Sequence, residues 1–139
     1  MSRSFIITLL VLFPSLALVS ALYFVNLLKR FMEETPRIET GADMDAYRAV
    51  VKKQMYAALA QIVILGIPIV LFIIGTVTRT LRMGDLMYTI VPNAVVIMVS
   101  RFLRGVERKM HRLPASDLEL ERERDHVVAV WEKKALPDW

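Results

Sequence analysis

Two long stretches, Ser4 to Leu28 and Gln54 to Thr78, contain no Asp, Glu, Lys, Arg or His. A helix rises about 1.5 Å per residue, so about 20 residues cross a hydrocarbon core of about 30 Å. Either stretch is long enough to span with some tilt. Charges bracket both: Arg3 and Lys29-Arg30 around the first, Lys52-Lys53 and Arg79 around the second. A third stretch, Leu86 to Ser100, is shorter and lies between Asp85 and Arg101. It makes about 22 Å of helix, a length shared by short spans, re-entrant segments and buried helices. Phe102 and Leu103 prolong it past Arg101, whose long side chain can snorkel back to the interface, so a third span is expected.

The distribution of Lys and Arg orients the spans. With three of them, the N-terminus shares a side with the Arg79–Asp85 loop, which gives Arg3, Arg79 and Arg82 to that side. The other 15 of the 18 basic residues fall in the loop 29–53 and in the tail after the third run. Basic residues accumulate on the cytoplasmic side, so the N-terminus is expected outside and the C-terminus inside. A two-span arrangement divides the basic residues less sharply. The first run also carries Val19-Ser20-Ala21, a small-x-small pattern of signal cleavage sites, but the apolar stretch continues to Leu28. An uncleaved signal anchor is the expected outcome. Tyr23 and Tyr56 fall near the inner interface, Phe5 and Tyr88 near the outer one, as an aromatic belt requires.

The polar residues within the runs that bear on contacts between helices include Asn26, Gln61, Thr76, Thr78 and Asn93. Pumps and proton-coupled carriers place charged groups at membrane depth, and these runs hold none. Gln61, about two turns into the second run, and Asn93 are expected to make intramembrane polar contacts that join helices. Pro14, Pro68 and Pro92 each fall inside a run, and a kink is expected near Pro92, next to Asn93. Ala17 and Ala21 make a small-xxx-small pair of a kind that is frequent by chance in apolar helices.

The segments between the runs are amphipathic. Glu33 to Pro36 and Glu39 to Gly41 read as an irregular connector, with Asp43 as the cap of a following helix. Met44, Tyr47, Val51 and Met55 then recur at helical spacing, so this helix is expected to run directly into the second span. Its apolar face suits either the headgroup layer or a partner protein. Beyond the third run, Arg101, Arg104, Arg108 and Arg112 form a basic stripe opposite Leu103, Val106, Met110 and Leu113. These arginines are candidate contacts for anionic lipid headgroups or a partner. Leu113-Pro114-Ala115 breaks the helix, and Ser116-Asp117-Leu118-Glu119 fits a capping box for a last one. Residues 101–112 are net positive and 117–125 net negative, which favours a helical hairpin. Trp131 and Trp139 are candidate anchors for a partner.

Chemistry is sparse. The absence of Cys removes thiolate catalysis, thiolate-bound metals and disulfides. His111 and His126 both lie in the tail, so neither suits intramembrane haem ligation, and Glu107 with His111 makes at most half a metal site. Five scattered glycines form no phosphate loop.

The expected fold is therefore all-α, an integral membrane protein with three transmembrane helices and a cytoplasmic C-terminal helical hairpin. Its segments are 1–31 (first span), 32–53 (connector and amphipathic helix), 54–78 (second span), 79–85 (outer loop), 86–103 (third span) and 104–139 (tail). The expected role is that of a non-catalytic accessory or scaffolding subunit of a larger inner-membrane complex, without a cofactor or metal. Its expected partners are the anionic bilayer and larger membrane subunits or further copies of itself, not nucleic acid. Two other roles fit: an oligomeric channel or transporter subunit, and a membrane anchor lining a cofactor or quinone pocket of a respiratory or photosynthetic enzyme.

Overall fold

Wherever the sequence runs without charge, the backbone is helical. The computed structural model describes all of residues 1–139 and is 81 % helical, with no strand. Helix α1 is Arg3–Glu34, α2 is Gly41–Val77, a 3-10 turn covers Met83–Leu86, α3 is Met87–Met110 and α4 is Leu118–Lys133. Three of these segments, α1, α2 and the 3-10 turn with α3, are long and apolar enough to cross a membrane. In the most apolar stretch of each, only 28 %, 6 % and 11 % is buried within the chain. Tyr23, Tyr56, Phe5 and Tyr88 are all exposed.

Several boundaries differ from those the sequence suggests, for local reasons. Helix α1 continues through Glu33 and Glu34, where an i,i+4 pair of Arg30 Nε with Glu34 at 3.0 Å supports its last turn. Helix α2 starts at Gly41, ahead of the expected Asp43 cap. Thr40 Oγ1 accepts from the Asp43 amide at 3.2 Å while Asp43 Oδ2 accepts from the Thr40 amide at 3.2 Å, a reciprocal capping box with Thr40 as the cap. Helix α4 is capped by Asp117, whose Oδ1 accepts from the Leu120 amide at 2.8 Å, and not by Ser116. The Ser116 hydroxyl is engaged elsewhere, donating to the Glu39 carbonyl at 3.2 Å.

The chain divides into two compact units. The first comprises residues 1–22 and 60–102. Its small core joins Ile6, Leu10 and Leu81, with Ile7, Leu71 and Phe72 packed against them. Arg3 donates to both oxygens of Asp85, at 3.1 and 2.7 Å, and the Arg82 amide donates to Asp85 Oδ2 at 2.9 Å. Helix α2 ends in a Schellman motif. The Thr80 amide bonds the Gly75 carbonyl at 2.9 Å, the Arg79 amide bonds the Thr76 carbonyl at 3.0 Å, and Arg79 takes the left-handed conformation at φ 57°. Leu81 lies directly over Gly75, so close that a Cβ there would meet Leu81 Cδ1 at 2.6 Å.

The second unit comprises residues 23–59 and 103–139. Two connectors are stitched together by backbone bonds at 2.9 Å, from the Ile38 amide to the Pro114 carbonyl and from the Ser116 amide to the Ile38 carbonyl. Ile38 is fully buried at this isolated bridge. The apolar core of the unit takes Met44, Tyr47, Val51 and Met55 from α2, Val106 and Met110 from α3, and Leu120, Val127 and Val130 from α4.

Candidate functional site

The apolar face of α2, Met44, Tyr47, Val51 and Met55, meets neither headgroups nor a partner, the two surfaces its spacing suggests. It is buried by the chain itself. Apolar residues at this spacing seek any apolar surface, and the stripe Leu103, Val106, Met110 and Leu113 at the end of α3 is buried in the same unit. The polar residues at this level are drawn into the same packing. Gln54 Nε2 donates to Glu107 Oε1 at 3.2 Å, and the Tyr47 hydroxyl bonds His111 Nδ1 at 2.5 Å.

His111 is the most confined titratable group in this unit after Tyr47. It is 8 % exposed, its ring centroid lies 4.4 Å from that of Trp131 on α4 and 5.9 Å from that of Tyr47, and Tyr47 in turn meets Phe31 of α1 at 6.4 Å. With the Tyr47 hydroxyl donating, the ring proton resides on Nε2, which is buried without a partner. Burial drives the His111 pKa down from 6.5 to about 4, so the ring is neutral near pH 7. Trp131, expected to anchor a partner, thus contacts its own chain. Trp139 is half-buried and its indole Nε1 is enclosed. Beside it Asp138 accepts from Lys134 at 2.9 Å and lies 3.3 Å from His126, and the Lys134 bond holds its carboxyl below the usual range.

The basic stripe faces away from this core. Arg101, Arg104, Arg108 and Arg112 are all exposed. The acidic segment expected to oppose them finds other cations: Glu123 pairs with Arg48 of α2 at 2.9 Å, while Asp125 pairs with Arg124 at 2.9 Å. Arg124 also donates to the Leu113 carbonyl at 2.8 Å.

Of the two amides expected to join helices, only Gln61 bonds a neighbouring helix, while Asn93 turns to the carbonyl of its own preceding turn. Gln61 Nε2 of α2 donates to the Ala17 carbonyl of α1 at 3.3 Å, and Asn93 Nδ2 donates to the Thr89 carbonyl one turn back at 2.7 Å. Ala17 and Ala21 are fully buried, so this small-residue pair, of a kind frequent by chance, is where Gln61 reaches the α1 backbone. Nothing along the chain marks Tyr47, His111 and Trp131 as a group, since they come from α2, the end of α3 and α4; apolar spacing singles out Tyr47 and Trp131 alone. No protein-family model matches the chain, and neither a curated protein nor a solved structure does.

Proposed function

We propose that the chain is a non-catalytic accessory or scaffolding subunit of a larger inner-membrane complex, with its N-terminus outside and a cytoplasmic helical hairpin formed by the end of α3 and α4. The observation that carries this reading is how the intramembrane amides are used. Gln61 bonds the backbone of a neighbouring helix and Asn93 bonds its own. The Gln61 bond holds two helices together and the Asn93 bond satisfies its amide within one helix, whereas a conducting path turns such groups towards water or substrate. The outward apolar surface of α2 supports the same reading, because it suits contact with lipid or with the spans of other subunits. A kink at Pro92 would tilt the first turns of α3 without changing this role.

Ion flux tests this reading against the channel alternative. Reconstituted alone in sealed vesicles, the full chain is expected to pass no ions above the empty-vesicle rate. A flux that Gln61→Leu or Asn93→Leu abolishes would establish a conducting oligomer instead.

A further inference from the structure

One arginine at the end of α3 is set deeper than the sequence alone conveys. Within the second unit, contacts between α2 and α3 fix their register. Tyr47 meets His111 and Gln54 meets Glu107, so α3 descends as α2 ascends. Gln54 is the first residue of the charge-free run of α2. Arg104 lies one helical turn before Glu107 on α3. At a rise of about 1.5 Å per residue it sits about 4.5 Å below the level at which α2 becomes wholly apolar. It is thus level with Ala57 of α2, within the charge-free run, and Arg101, one turn further down the same stripe, lies deeper still. Arg108, one turn up the same exposed face, stands about 1.5 Å above the Gln54 level, beside Lys53.

Both guanidinium groups belong to the exposed stripe. Glu107, which lies between them in the sequence, already accepts from Gln54, and Arg104 acts on it only through its charge. An arginine at this depth is not stable among acyl chains without a partner. It reaches up along its own stem or draws a polar group down to it. Phosphate is the common anion of a bilayer surface, and the planar guanidinium fork binds it with two bonds. Two such forks one turn apart on a helix face can share a single phosphate.

We propose that Arg104 and Arg108 form a binding site for the phosphate of an anionic phospholipid, drawn below the ordinary headgroup level beside α3. The site requires α2 and α3 to lie in a bilayer but does not depend on the accessory-subunit role. A chain that proves monomeric yet selects anionic lipid overturns that role and leaves the site standing.

The test uses the full chain in nanodiscs of mixed phosphatidylcholine and phosphatidylglycerol, with retained lipids counted by native mass spectrometry after gentle release. Wild type is expected to retain phosphatidylglycerol preferentially. Each arginine near an anionic surface changes lipid affinity about fivefold, so the double variant Arg104→Gln with Arg108→Gln should lose roughly 25-fold. Arg112→Gln with Arg122→Gln removes the same charge from exposed positions further along the chain and should lose far less. Added inorganic phosphate should not compete. Equal losses from the two variants overturn the proposal, as does competition by inorganic phosphate. So does loss of a co-extracted protein with unchanged lipid retention, which makes the pair a protein contact. Should the inner double variant fail to fold, wild type alone decides, because a chain with no preference for phosphatidylglycerol has no such site.

Discussion

The Tyr47 hydroxyl and His111 Nδ1 meet at 2.5 Å across 64 positions of sequence, and Trp131 covers the imidazole from α4. One buried polar contact thereby ties α2 to α4 through the residue that follows α3.

Removing the hydroxyl leaves both ring nitrogens of His111 buried without a partner. An orphaned buried polar group costs about 1–3 kcal/mol. Tyr47→Phe is therefore expected to lower unfolding stability by that amount, measured by denaturant titration in mild detergent. An unchanged midpoint would show that the hydrogen bond contributes nothing net.

Stability should also fall with acid, and the sign follows from burial. The folded His111 has its pKa depressed to about 4, while the unfolded side chain titrates near 6.5. Between these values the unfolded state binds a proton that the folded state refuses, so stability is full above pH 6.5 and is lost as pH falls towards 4. At about 1.4 kcal/mol per pKa unit the loss reaches about 3 kcal/mol. His111→Gln, which cannot take up the proton, should flatten this part of the pH profile. A variant with the wild-type slope would assign the proton to another group.

Gly75 and Gly66 make a matched pair. Both lie in α2, but a Cβ at Gly75 would strike Leu81 Cδ1 at 2.6 Å and Cγ at 2.7 Å, while one at Gly66 meets nothing within 4 Å. Overpacking of this kind costs typically about 1–3 kcal/mol. Gly75→Ala should lower the thermal midpoint in nanodiscs and Gly66→Ala should leave it unchanged or raise it. Equal behaviour of the two variants would contradict the packing of Leu81 over Gly75.

Arg79 holds a backbone conformation that costs a residue with a Cβ about 1–2 kcal/mol and costs glycine little. Arg79→Gly should stabilise the turn after α2 by about 1 kcal/mol, seen as slower amide exchange at Thr80 and Leu81. Faster exchange at those amides would show that the arginine side chain contributes more than its backbone costs.

The two long apolar runs made α1 and α2 legible, because charge missing over so long a stretch leaves few alternatives to a span, whereas the shorter third run needed the sidedness of the basic residues as well. The spacing Met44, Tyr47, Val51, Met55 likewise announced that α2 begins well before its apolar run. What covers that face was not legible, since helical periodicity states that a face is apolar and not what buries it. Ser116 shows the limit at finer scale. Its position three before Glu119 satisfies a capping pattern, yet the Ile38 bridge claims the residue and Asp117 caps α4 instead. The depth of Arg104 is of the same kind, because it follows from the Gln54–Glu107 contact and no pattern along one helix encodes it.

The most direct test of the accessory-subunit reading is the company the chain keeps in its own membrane. Extraction of the full chain with a mild detergent, followed by native mass spectrometry, should recover it bound to larger membrane proteins in fixed proportion. Recovery as an isolated monomer under conditions that preserve other membrane complexes would contradict it.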